Sequence, residues 1–294
     1  MRYKPFRQKY NTPMLTYPQL CPIKIKTMEL KNCTILITGG TSGFGFEFAS
    51  RFIELGNTVI ITGRNTQKLQ ETKQKLPAEH TIQSDVSKAE DIIRLYNQVT
   101  QDFPDLNVLI NNAGEMRKIS LHENHDLYDI TREVEINLMG PIRMVQQFLP
   151  HLKTKKAAAI MNVTSGIAFM ALPVSPIYGA TKAGLRSYTL SLRVQLKHTN
   201  VKVFELVAPG SSTPLNDKFR EMDRFNPDHL LAPEKTAQEH IHLFVVNEAK
   251  NLLKKPELNV SEVAYRLGFE YNSHFTKFFK SKTGMSPTAF LAEG

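Results

Sequence analysis

The 294-residue chain is poor in cysteine, with only Cys21 and Cys33. Two thiols without metal-ligand spacing exclude a disulfide scaffold and fit a reducing, cytoplasmic compartment. No His/Cys cluster points to zinc, so no metal is expected. No apolar run reaches the roughly 18–20 residues that cross a bilayer, so no membrane partner is expected. Acidic residues are missing from one stretch: residues 1–27 hold six Lys/Arg and no Asp/Glu. That stretch has four prolines, no helical period and no apolar core of a secretory signal. It reads as a basic, disordered arm, or else translation starts at Met28. The formal charge of +9 resides largely there. Residues 28–234 are nearly neutral, with 23 basic and 22 acidic side chains, and residues 235–294 hold eight and six.

Against those absences stands a dense set of nucleotide-binding signals. Cys33 to Thr38 reads as a short buried strand. It runs into Gly39-Gly40-Thr41-Ser42-Gly43-Phe44-Gly45, and Phe46 to Leu55 follows at helical spacing up to Gly56. Glycines let a backbone approach a pyrophosphate, and a helix N-terminus offers unpaired N–H groups to its charge. The pattern is Thr-Gly-x-x-x-Gly-x-Gly, not G-x-G-x-x-G. A second strand, Thr58 to Thr62, ends at Gly63-Arg64-Asn65. A site for NAD usually places a carboxylate there to hold the ribose 2′-hydroxyl. None is present, and a guanidinium suits a 2′-phosphate. Arg64 therefore favours NADP(H) over NAD(H), unless it is a solvated surface arginine.

Tyr178 and Lys182 lie four residues apart and share one helix face. An ammonium beside a phenol favours the phenolate, so the tyrosine pKa is expected to fall toward working pH. Ser165, thirteen residues upstream, can hydrogen-bond a substrate oxygen. The structural alternatives are a surface aromatic–lysine pair and a plain glycine turn.

Further marks follow in order: Asp85-Val86 after a strand, Asn111-Asn112-Ala113-Gly114 after the strand Asn107 to Ile110, Asn137 in a helical stretch, and Pro209-Gly210 after the strand Lys202 to Val207. Together with the glycine turn and the Ser/Tyr/Lys trio, they resemble the short-chain dehydrogenase/reductase family over residues 28–234, and DltE-like oxidoreductases within it. The resemblance implies roles for matching positions. Tyr178 would be the general acid/base. Lys182 would hold the nicotinamide ribose, Ser165 would orient the carbonyl, and Asn137 would anchor a water. Gly39, Thr41, Ser42, Gly43 and Gly45 would line the pyrophosphate and ribose. Asp85 and Val86 would contact adenine, and Asn112, Ala113 and Gly114 would pack along the cofactor. Pro209, Gly210 and Thr213 would approach the nicotinamide, and Ser211 to Leu231 would form a substrate lid. Asp85 could instead cap a helix, and Asn137 could be a buried amide that ties two strands together.

Near residue 235 the text changes. Thr236 to Lys255 reads as a helix. Leu258 to Phe269 and Asn272 to Thr283 then give helix, glycine-containing turn, helix, closed by Gly284 and a Pro287 stop. Val260-Ser261-Glu262-Val263-Ala264, Leu267-Gly268-Phe269 and Lys282-Thr283-Gly284-Met285-Ser286-Pro287 resemble the C-terminal part of AraC-type transcription regulators. That resemblance places Ser273, His274, Thr276, Lys277 and Lys280 on a recognition helix. Such regulators hold two units, and this chain holds the linking helix and one. DNA is therefore a weak partner, and the alternative is a small folded appendage with Tyr265, Phe269, Phe275, Phe278 and Phe279 as its core.

The expected fold is α/β: a doubly wound, mostly parallel Rossmann sheet lacking its seventh strand, with a small all-helical tail unit. The expected function is NADP(H)-dependent interconversion of a carbonyl and an alcohol, in a chain that could form a homo-oligomer. The rivals are a DNA-binding regulator with a nucleotide-sensing body and an inactive fusion product.

Overall fold

The computed structural model describes residues 31–76, 80–211 and 213–215, and residues 245–292 except 247, 248, 251, 257, 268 and 270. The basic arm, Met28 and most of the expected lid and linking helix lie outside the described residues.

Six strands form one parallel sheet: β1 (Thr34–Thr38), β2 (Thr58–Gly63), β3 (His80–Gln83), β4 (Leu106–Asn111), β5 (Ala158–Ser165) and β6 (Val201–Ala208). Their order is β3-β2-β1-β4-β5-β6. Among the described residues the sheet ends on β6. The strands are apolar on both faces because helices cover both. Alternation sorts the side chains: Leu36, Ile60, Leu109 and Ile160 face one way, and Ile35, Ile37, Val59, Ile61, Val108 and Ile110 the other. The first set packs against α3 (Ala89–Asp102), α6 (Gly140–Lys153) and α7 (Pro176–Gln195) through Leu95, Phe148 and Leu192. The second packs against α1 (Gly43–Glu54) and α2 (Thr66–Lys75) through Phe48, Phe52 and Leu69. Two short helices, α4 (Leu127–Ile130) and α5 (Arg132–Val134), lead into a π-helical turn at Glu135–Met139 before α6.

Strand order reverses between β1 and β4, and in such sheets ligands bind outside the carboxyl ends of the strands at that point. The turns after β1 and β4 meet there. A polar ladder fixes the neighbouring layer. Asn111 Nδ2 donates to Asn162 Oδ1 at 2.8 Å, and Asn162 Nδ2 donates to Thr189 Oγ1 at 2.9 Å. It ties β4, β5 and α7 together, and α7 carries Tyr178 and Lys182.

The tail has α8 (Val260–Arg266), α9 (Asn272–Thr283) and α10 (Pro287–Ala292). Asn259 and Glu262 cap α8 reciprocally, which satisfies two backbone donors. Gly284, at φ +83°, ends α9 in the left-handed conformation. Pro287 is not a stop: it opens α10, where its fixed φ suits a first helical position. Phe275 and Phe279 are fully buried with Leu252, Leu253 and Val263 around them. Tyr265 does not join this core. It is 81% exposed.

Candidate functional site

The glycine turn is pinned against the turn after β4. Asn112 Nδ2 donates to the carbonyls of Thr38 (3.0 Å) and Gly39 (2.9 Å). Thr38 Oγ1 accepts the Asn112 and Ala113 N–H groups at 3.0 and 3.1 Å. Gly39 has φ +67°, and a Cβ there would stand 2.7 Å from Ala113 Cα. A Cβ at Gly45 would collide with Gly39 O and Asn112 Nδ2. Glycine is required at both positions for the backbones to approach. Gly43, at φ +55°, lies against the Thr213 methyl, so the loop after β6 crosses to the glycine turn. Ser42 stands at the N-cap of α1 without a side-chain cap bond, and the first turn holds no acid. The amides of that turn are placed to receive an anion. Gly114 is exposed. This cradle fits a dinucleotide pyrophosphate.

Tyr178, Lys182 and Ser165 come together beside it. Tyr178 is 5% exposed and Lys182 3%. The Lys182 ammonium donates to Val163 O at 2.8 Å and stands 5.6 Å from the Tyr178 ring centroid. From where a Gly114 Cβ would lie, Asn137 Oδ1 is 3.4 Å away and Lys182 Nζ 3.7 Å, so exposed backbone leads inward to both.

The electrostatics correct one expectation. Tyr178 does not fall toward neutral pH. Burial pushes it up to about 12, a hydrogen bond with Ser165 pulls it down, and the Glu133 carboxylate pushes it up again. Burial also lowers Lys182 to about 8. A charged form out of water costs free energy, and for Tyr178 that cost outweighs the Ser165 hydrogen bond.

Asn137 is fully buried in the π-helical turn. Its Oδ1 accepts the Glu115 N–H at 2.8 Å, and its Nδ2 donates to Glu115 O (2.7 Å) and Thr181 Oγ1 (3.2 Å). It ties the strip after β4 to α7. Arg64 is half-exposed, and its guanidinium reaches Glu115 at 3.9 Å. A carboxylate absent from the end of β2 thus arrives from the end of β4. Glu115 also takes two bonds from Arg132, at 2.7 and 3.0 Å.

Asp85 accepts from Ser87 N–H and Oγ and so shapes its own turn. Val86 is buried against Gly140. Thr41 packs on Gly63. Pro209 and Gly210 follow β6 directly, and the rest of the expected lid beyond Leu215 lies outside the described residues. On α9, Ser273, His274, Lys277 and Lys280 are exposed and Thr276 is half-buried, opposite Phe275 and Phe279. Among the described residues no cluster of His, Cys, Asp or Glu could hold a metal, and no described helix is long and apolar enough to cross a membrane.

Sequence reading missed Glu115, Glu133, Thr38 and Thr181. The signal for Thr38 was its place directly before the first glycine. Nothing local marked the other three.

The model of the short chain dehydrogenase family matches residues 33–224. The chain belongs to that family. A helix-turn-helix domain model matches residues 233–293, in keeping with the AraC-type likeness of the tail. The short-chain dehydrogenase part is 45% identical over 195 residues to the uncharacterized oxidoreductase DltE of Bacillus subtilis (strain 168), covering 66% of this chain and 77% of that one. Two solved structures share its fold. The 3-ketoacyl-(acyl-carrier-protein) reductase from Brucella melitensis, complexed with NADH, is 29% identical with a TM-score of 0.66, over 73% of this chain and 91% of that one. A short chain dehydrogenase from Burkholderia cenocepacia, in complex with NADP, is 25% identical with a TM-score of 0.64, over 74% and 86%. The chain is thus an oxidoreductase-family protein whose structural neighbours bind nicotinamide cofactors.

Proposed function

We propose that this short-chain dehydrogenase reduces a carbonyl compound with NADPH, and oxidises the alcohol in reverse, with Tyr178 as general acid/base. The observation that carries this is the meeting of Tyr178, Ser165 and Lys182 beside a glycine cradle whose backbone has no room for side chains. Gly39, Thr41, Ser42, Gly43, Gly45, Asn112, Ala113 and Gly114 hold the dinucleotide, with Asp85 and Val86 toward adenine and Pro209, Gly210 and Thr213 toward the nicotinamide. When bound, the nicotinamide supplies or accepts the hydride.

The protein's own groups manage the oxygen and the proton. Ser165 holds the substrate oxygen in line, and Tyr178 gives it a proton. A phenol pushed up to about 12 is protonated at neutral pH, so the resting site is set to donate. Lys182 would hold the ribose hydroxyls of the bound dinucleotide, and Asn137 holds the strip after β4 against α7. Arg64 leaves Glu115 for the 2′-phosphate, and Glu115 keeps its two bonds to Arg132.

NADPH and NADH titrations by fluorescence test the cofactor. The parent is expected to bind NADPH tighter, and Arg64→Asp is expected to weaken NADPH by about tenfold or more while leaving NADH within about threefold. Tighter NADH binding by the parent would refute the NADP assignment.

A second reading, DNA binding by the tail, is favoured by the exposed Ser273, His274, Lys277 and Lys280 on α9. It requires a gel shift that weakens with salt. No shift at low salt removes it.

A further inference from the structure

Glu133 is a fully buried carboxylate that the reaction above leaves without a task. It lies on α5, four residues before Asn137. Its Oε1 accepts the Arg117 N–H at 3.1 Å, and its Oε2 pairs with Arg117 Nε at 3.3 Å. Asn137 makes the matching grip on Glu115, at N–H and C=O. Four residues of helix rise about 6 Å, close to the roughly 6.6 Å between alternate residues of extended chain. Two side chains from one helical stretch therefore hold residues 117 and 115. Met116 lies between them. It is buried against Tyr178, with Ile167, Val174 and Leu215 around the pair. Farther along, the Ile119 N–H donates to Val174 O at 3.1 Å. The strip after β4 is thus a wall of the Tyr178 pocket, and Glu133 fastens it.

We propose that Glu133 is a positioning residue for Tyr178, acting through Arg117 and Met116 on where the phenol stands. The proposal rests on Tyr178 being the acid/base. The geometry is the grip on residues 115–117. The electrostatics agree, because Glu133 is among the groups that push Tyr178 up. Among the described residues, the polar or charged groups facing the phenol are few. Ser165 comes from β5, Lys182 from α7 itself and Glu133 from α5; the strip, Ile167, Val174 and Leu215 contribute apolar contact. Glu133 in turn faces Arg117 and, farther off, Glu115, while Asp129 shares Arg117. Arg117 is thus divided between two carboxylates, so the charge of Glu133 is incompletely cancelled.

Glu133→Gln keeps an oxygen for the Arg117 N–H and removes the charge. Glu133→Asp keeps the charge and shortens the reach. The readout is the Tyr178 resonance in protein labelled with 13Cζ-tyrosine, assigned by its loss in Tyr178→Phe and followed up to pH 10.5. The parent signal is expected to stay at the phenol position. In Glu133→Gln it is expected to move toward the phenolate by pH 10.5, about threefold farther than the parent's, as a midpoint lower by about half a pH unit gives. Glu133→Asp should titrate like the parent, while its loosened grip on Arg117 moves or broadens the Tyr178 signal at pH 7. A Glu133→Gln signal that tracks the parent's would overturn the proposal. Should that variant not fold, Glu133→Gln/Arg117→Met leaves a neutral pair and is judged by the same downward shift or its absence. If Tyr178→Phe turns over a carbonyl as fast as the parent does, the acid/base reading fails. That failure is separate from any movement of the Tyr178 signal.

Discussion

Replacing Lys182 by methionine is expected to make the empty protein more stable while removing its activity. The ammonium is fully buried, and its pKa falls from the usual 10.5 to about 8. A difference of that size corresponds to about 3 kcal/mol against folding with the lysine charged. Methionine escapes this cost and nearly matches the volume. It forfeits the 2.8 Å charge-assisted bond to Val163 O, worth about 2 kcal/mol. The net gain at pH 7 is about 1 kcal/mol, or roughly 2–4 °C in Tm for a domain of this size. The pH dependence gives the reasoning a signature. The folded pKa lies below the unfolded one, so the lysine's contribution is fully present above pH 10.5 and is lost as pH falls to 8. The advantage of Lys182→Met should therefore shrink between pH 8 and 10.5. Tyr178 acts oppositely, because its folded pKa of about 12 lies above 10 and parent stability is lost as pH rises between those values. Scanning thermal unfolding of parent and variant from pH 7 to 10.5 reads the lysine slope. A variant less stable than the parent at pH 7, or a Tm difference that ignores pH, would refute the burial argument.

Two other substitutions probe the scaffold. Gly45→Ala forces apart the turns after β1 and β4, because its Cβ meets Gly39 O and Asn112 Nδ2. It is expected to lower Tm by several degrees and weaken dinucleotide binding by about tenfold or more, read by fluorescence titration. Asn162→Ala strands Asn111 Nδ2 inside the protein, while Thr189 Oγ1 keeps its bond to Leu185 O, at a cost of about 1–3 kcal/mol. A denaturant midpoint unchanged from the parent's would show that the ladder does not hold β4, β5 and α7.

What the sequence disclosed follows a physical division. β1, β2, β4 and β6 were visible because each is a largely apolar run closed by a turn, whereas β3 buries only Ile82 and was marked by the Asp85-Val86 that follows it. The glycine cradle was visible because strand, turn and helix are contiguous. Tyr178 and Lys182 were visible because one helical turn brings them together. Groups that meet across elements were hidden. Glu115 follows β4 and yet reaches Arg64 after β2. In the sequence Glu133 is one acid within a charged stretch, and only the fold buries it beside Arg117. The direction of the Tyr178 shift was misjudged for the same reason. Local sequence shows the lysine neighbour, whereas desolvation and the Glu133 carboxylate come from the tertiary packing. In the tail, α9 was read to its ends because Gly284 marks a left-handed cap. Tyr265 was misplaced because α8 turns it to solvent.

The most direct measurement is turnover and cofactor binding by Tyr178→Phe, side by side with the parent, on a panel of aldehydes and ketones with NADPH. The variant is expected to bind NADPH within about threefold of the parent and to lose about a thousandfold or more in kcat/KM on whichever carbonyl the parent reduces. A variant that reduces the same carbonyl at the parent's rate would contradict the assignment of the buried phenol as the proton donor.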